Sequence, residues 1–175
     1  MVSLIVILLS IGLLTAYLLA TMNYLPGWQK SADSSQALAQ DGLYKFEKAY
    51  LAVTKANGGL ALPVYAQTDG GIANNFTAIL GFLPKAPGDY MYVYGQHSND
   101  GTRYAGMNYV CLAPMQGASR DEGAVRGLNR LRQAFPADQL IFSNGCGASS
   151  SMIPSQGTPQ SLYVTYYMVY SPELG

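Results

Sequence analysis

The chain has 175 residues, a formal net charge of zero and only 11% charged residues. So little charge excludes a general electrostatic attraction for nucleic acid. With the apolar N-terminal stretch set aside, about 150 residues remain, a length that suits one domain with its own core.

No charged residue occurs before Lys30, and Leu4–Ala20 is almost wholly apolar. Leu4, Ile5, Val6, Ile7, Leu8, Leu9, Ile11, Leu13, Leu14, Leu18 and Leu19 carry the run, which with its flanks to Tyr24 is long enough to cross a hydrocarbon core of ~30 Å. Tyr24 and Trp28 fall where an interfacial aromatic belt would sit, and Pro26-Gly27 ends the helix or redirects the chain. Three readings compete. A cleaved signal lacks its basic n-region here and has only a poor cleavage site at Ala16–Ala20. A buried core helix is disfavoured in a chain this small, because the run is apolar on every face. A retained membrane anchor over 1–25 is the expectation.

Lys30–Ser35 reads as a polar junction, so 26–35 is taken as a linker. Asp33, Ser34 or Ser35 would cap a helix running from about Gln36 to Ala56. Its buried stripe is Ala39, Leu43, Phe46, Tyr50 and Val53, and Asn57-Gly58-Gly59 stops it. Core packing is the preferred reading of that stripe. Gly70–Asn75 reads as a turn, followed by a brief apolar piece, Phe76–Leu83. The Asn75-Phe76-Thr77 sequon is a common chance match.

Tyr90–Tyr94, bounded by Gly88 and Gly95, is a strand; Tyr104–Leu112 is the next, and the turn-forming cluster His97–Gly101 joins them as an antiparallel hairpin. Ser119 and Glu122 fit a capping box for a helix continuing to about Ala134 and stopped by Pro136. Ala124, Leu128, Leu131 and Phe135 form its buried stripe. Arg120, Arg126, Arg130 and Arg132 face out or sideways, a patch able to dock an acidic partner, although a solvated helix face is the default. Leu140–Phe142 is a short strand. Leu162–Tyr170 alternates Tyr, Val and Met and should lie near the centre of the sheet. The fold class is α+β: the N-terminal transmembrane helix, an amphipathic helix, then a mainly antiparallel sheet with one inserted helix.

Two cysteines, Cys111 and Cys146, stand behind the expected anchor. An even count there suggests one disulfide, against the alternative of two buried thiols in a cytosolic domain. Two Cys and the single His97 are too few and too scattered for zinc, and no cofactor motif is present. No nucleophile elbow or Walker loop occurs. His97 lies in a Ser/Asn/Asp/Gly turn, where an exposed, solvated imidazole is expected; a hydrolase would have to be built on it without supporting motif. The expectation is therefore no catalytic residue and no enzyme. The Tyr-rich strands would also suit a ligand-binding module or adhesin, but sheet packing explains them more simply.

An uncharged N-terminal span, a second amphipathic helix and a late sheet region bracketed by two cysteines resemble the type IV pilin and pseudopilin superfamily. Pilins usually carry Glu at the fifth mature position, whereas this chain has Ile5, which points toward a minor pilin or a non-pilin assembly component. The run Leu43–Val53 followed by Asn57-Gly58-Gly59 is similar to the helix and turn after the anchor in the PilM-type family of conjugative thin-pilus operons. That resemblance, slightly favoured, implies an inner-membrane component with residues 36–175 in the periplasm, or outside the cell if in a fibre. The implied partners are other pilus or secretion proteins and the bilayer, and a homo-oligomer is compatible with it.

Overall fold

The computed structural model describes residues 7, 10–17, 27–56, 58, 71–115, 121–151 and 162–168. Residues 7 and 10–17 are helical, and Ile7, Ile11, Leu13 and Leu14 are each more than half exposed. Leu4, Ile5, Val6, Leu8, Leu9, Leu18 and Leu19 lie outside the described residues. Among the described residues, no helix is long and apolar enough to cross a membrane.

Helix α1 spans Gly27–Ala56. It starts nine residues before the expected Gln36, so the segment read as a polar junction is helical from Gly27. The reason lies in tertiary contact. The Ser31 hydroxyl donates to Asp121 Oδ2 and Asp33 pairs with Arg130, so this polar run serves a neighbouring helix instead of capping its own. The expected stripe holds: Ala39, Leu43, Phe46 and Tyr50 are buried and Val53 is half-buried.

Helix α2, Gly71–Leu80, replaces the turn expected at Gly70–Asn75. Gly81, at φ +74°, closes it by donating to Thr77 O at 2.8 Å. Phe76 is fully buried against Phe46, with ring centroids 5.2 Å apart. A hydrophobic anchor outweighs the turn-prone composition around it.

Strand β1, Tyr90–Gln96, pairs antiparallel with β2, Asn108–Pro114, with Val93 opposite Cys111. The hairpin is as expected, but β2 begins at Asn108 and not at Tyr104. Tyr104 turns aside, stacks on Tyr167 at 4.1 Å and donates its hydroxyl to Asp138 O at 2.8 Å. Helix α3, Glu122–Arg130, runs into a 3-10 turn at Leu131–Gln133. Its cap is Asp121, whose carboxylate accepts from Gly123 N at 2.8 Å; the capping box assigned to Ser119 falls on a residue outside those described, and Glu122 is the first helical residue. The stripe Ala124, Leu128, Leu131 and Phe135 is buried as expected. Strands β3, Leu140–Ser143, and β4, Tyr163–Tyr167, complete a four-stranded sheet in the order β1-β2-β4-β3, all neighbours antiparallel. The last strand is central, as its alternation foretold.

Period-two alternation sorts the sheet residues onto two faces. Tyr90, Val110, Leu112, Leu140, Phe142, Val164 and Tyr166 face α1 and α3 and form the main core with Leu43, Phe46 and Leu128. Tyr109, Cys111, Ile141 and Tyr167 face the other way, where the 97–107 loop and the 144–151 turn cover them. Cys111 and Cys146 are disulfide-bonded, with their Cα atoms 5.6 Å apart. The fold is α+β with a wholly antiparallel sheet.

Candidate functional site

The covered outer face holds the densest polar cluster. His97 is buried, contrary to the exposed imidazole expected from its turn-like neighbours. The 97–107 loop folds back over the sheet and puts the ring between two loops. Nδ1 lies 2.7 Å from Gly147 O, a carbonyl that can only accept, so Nδ1 is the donor. Nε2 lies 2.9 Å from Asp100 Oδ2. Asp100 Oδ1 accepts from both the hydroxyl and the amide of Thr102. These Thr102 bonds, with His97 adding to them, lower the Asp100 pKa to about 2. Tyr167 Oη lies 3.0 Å from His97 Nδ1 and donates to Ala148 O. Gly147 N in turn donates to Thr165 Oγ1, whose hydroxyl contacts Cys111 Sγ at 3.7 Å.

Every polar atom in this cluster is thus committed to a neighbour, and the disulfide lies beside it. Thr102 Oγ1 also lies 3.3 Å from His97 Nε2 and donates its hydroxyl to Asp100 Oδ1 at 2.7 Å. Burial pushes the Tyr167 phenol up, with Tyr109 and Tyr104 adding, so it stays a neutral hydrogen-bonding group. No group of three or more metal-ligating side chains occurs among the described residues. The arrangement holds the hairpin loop to the disulfide turn.

The inner end of β1 presents a different surface. A cleft of about 330 Å³ runs beside it, lined by Leu83, Pro84, Lys85, Tyr92, Tyr94 and Met115 among others. Leu83, Met91 and Met115 are exposed apolar side chains at this place. Tyr92 reaches inward until its hydroxyl lies over Gly42, where an added Cβ would come within 2.0 Å of it. Among the described residues the buried Tyr92 hydroxyl has no hydrogen-bond partner, and burial, with Tyr94 and Asp41 adding, raises its pKa.

The arginines are placed separately. Arg126 pairs with Glu122 and lies 4.4 Å over the Trp28 ring. Arg130 pairs with Asp33, and Arg132 lies 4.2 Å over the Phe142 ring. Arg126 and Arg130 therefore line the seam between α1 and α3, with Arg132 apart in the 3-10 turn, over Phe142 of β3, while Arg120 is outside the described residues. Trp28, assigned to an interfacial belt, belongs to that seam. Two small residues make the seam tight. A Cβ on Gly123 would lie 2.8 Å from Trp28 O, and one on Gly127 would lie 2.3 Å from Ala32 O. Sequence reading missed both glycines; their i,i+4 spacing on one helix face was the available signal.

No protein-family model, no curated protein and no solved structure matches the chain.

Proposed function

We propose that the chain is an inner-membrane-anchored structural component of a type IV pilus, conjugative or otherwise, or of a related secretion machine. It acts by protein contact and not by catalysis. The observation that carries this reading is the Cys111–Cys146 bridge in a domain that follows an uncharged apolar N-terminal run. On this reading the disulfide belongs to an oxidising compartment, and the run supplies both the export signal and the hold on the bilayer. A long helix laid on an antiparallel sheet, with a bridge late in the chain, is also the arrangement on which the pilin resemblance rests.

The test has two arms. A C-terminal phosphatase fusion should be active, and the full chain should stay with the membrane pellet through a carbonate wash. Deletion of its gene should abolish surface pili without loss of the major subunit. An inactive fusion with both thiols free would overturn the compartment; normal piliation would overturn the role. The length of α1 and the sheet behind it favour a second reading, a subunit of the fibre itself. Sheared filaments containing this protein in stoichiometric amount would select it.

A further inference from the structure

The backbone at the two edges of the sheet is treated differently. In the β1–β2 ladder, Met115 N donates to Asp89 O and His97 N to Met107 O. Those bonds fix the alternation, so the odd residues of β1 bond β2 while Tyr92 and Tyr94 turn their N–H and C=O groups outward. On the far side of the sheet, Tyr167 N donates to Gln139 O, which turns Leu140 and Phe142 outward on β3. Both of those donors are met by the chain itself: Leu140 N by Pro136 O at 3.1 Å and Phe142 N by Ser151 Oγ at 3.3 Å. Among the described residues nothing meets the amides of Tyr92 and Tyr94. Among the described residues the β3 edge is closed, whereas on β1 Tyr90 N is met by Pro87 O at 3.1 Å and the amides of Tyr92 and Tyr94 are left open.

Open edges are usually blunted by charge, proline or a bulge. Tyr90–Gln96 contains no charged residue and no proline, and it pairs with β2 without a break in register. Exposed Leu83 and Met115 flank it and Met91 lies on it, beside the cleft that Pro84 and Lys85 also line. Only an extended chain can satisfy outward groups at two-residue intervals. With zero net charge on the chain and none on the strand, no long-range repulsion opposes a second copy.

We propose that this chain forms a two-fold dimer by antiparallel pairing of β1 with β1 of a second copy. The axis passes by Val93, which sets Tyr92 opposite Tyr94 of the partner subunit and Tyr94 opposite Tyr92 of the partner subunit. Each such pair exchanges both N–H···O bonds, and the two Val93 residues form the close, non-hydrogen-bonded pair between them. Because β3 is closed, pairing stops at two copies and yields a continuous eight-stranded sheet, not a filament. The inference rests on backbone geometry and stands whether or not the pilus reading does.

The test uses the full chain in detergent, by density-matched sedimentation together with hydrogen exchange. The expected result is a dimer whose Tyr92 and Tyr94 amides gain at least tenfold protection as concentration rises through the dissociation constant. The Phe142 amide should be indifferent to concentration. Val93→Lys sets two like charges face to face and should raise the dissociation constant at least tenfold. Met91→Lys, at an exposed position of the same strand, should raise it less; an intact Cys111–Cys146 bridge and an unchanged circular dichroism spectrum certify either fold. A monomer at every concentration overturns the proposal. So does a dimer in which Tyr92 and Tyr94 exchange as fast as in dilute monomer, since its contact lies elsewhere. Protection of these amides in the monomer also overturns it, because the chain then covers its own edge.

Discussion

Replacement of Gly127 by alanine tests whether the α1–α3 seam is set by backbone approach. In isolation the change should help, because alanine favours a helix interior over glycine by about 1 kcal/mol. The seam reverses the sign. The new methyl would sit 2.3 Å from Ala32 O, 3.0 Å from Gln36 N and 3.0 Å from Ser35 Cβ. Two of these three atoms are backbone, so no rotamer change relieves the contact and α1 must move. Overpacking of this kind costs about 1–3 kcal/mol, here toward the upper end. Movement of α1 also stretches the Ser31–Asp121 and Asp33–Arg130 contacts. The net loss should be about 1–2 kcal/mol, which for a chain of this size lowers Tm by roughly 2–8 °C. Thermal melts of the oxidised full chain followed by circular dichroism read it directly. Gly145→Ala is the control, with nothing within 4 Å of the added Cβ, and should shift Tm little. A Gly127→Ala variant that melts at or above wild type refutes the account of the seam.

Reduction of Cys111–Cys146, or the Cys111→Ala/Cys146→Ala double variant, releases a loop closed over a sequence separation of 35. The chain-entropy relation puts the loss at about 4 kcal/mol, measurable as a fall in the urea midpoint. His97→Ala leaves Gly147 O without its imidazole donor and should cost about 1–3 kcal/mol; amide exchange in the 144–148 turn should quicken more than exchange in α1. The depressed Asp100 pKa gives a pH prediction with a defined sign. The carboxylate binds its proton less readily folded than unfolded, so its contribution is complete above about pH 4 and is lost as pH falls toward about 2. Urea melts at stepped pH should therefore show a steeper acid decline for wild type than for Asp100→Asn. Parallel curves for the two would exclude the Thr102 and His97 bonds as the cause.

How much of this was legible depended on whether a residue's role was local. The α1 stripe from Ala39 to Tyr50 and the α3 stripe from Ala124 to Phe135 were read correctly because side-chain spacing alone sets a helix face. The centrality of β4 was legible for the same kind of reason, since Leu162–Met168 has the apolar content of a strand buried on both faces. Errors came where polar residues act at a distance. Ser31 and Asp33 looked like linker and cap because their partners, Asp121 and Arg130, lie about ninety residues on. His97 looked solvated because Gly147, its acceptor, is fifty residues away. The turn expected at Gly70–Asn75 failed because local composition was weighed without the Phe76 anchor. Sheet order is a tertiary fact, so nothing in the sequence singled out β1 as the open edge.

The tyrosines tie these points together. Tyr-rich strands suit a ligand-binding face, yet here each has a packing place. Tyr92 and Tyr94 pack on Phe46 from the inner face, at 4.8 and 5.5 Å between ring centroids. Tyr109 and Tyr104 both pack on Tyr167 on the outer face. Burial raises the phenol pKa of Tyr92, Tyr94, Tyr109, Tyr166 and Tyr167 alike, so none offers a phenolate near neutral pH. Among the described residues, aromatic side chains thus pack on both faces of the sheet. Beside its exposed Met91, β1 offers a partner its main chain. Recognition through main-chain bonds tolerates much side-chain variation, because the amides and carbonyls that make it are common to every residue except proline. On that argument Tyr94→Phe should leave pairing intact, since the hydroxyl takes no part in it. Loss of the dimer in Tyr94→Phe would move recognition from the backbone to the side chain.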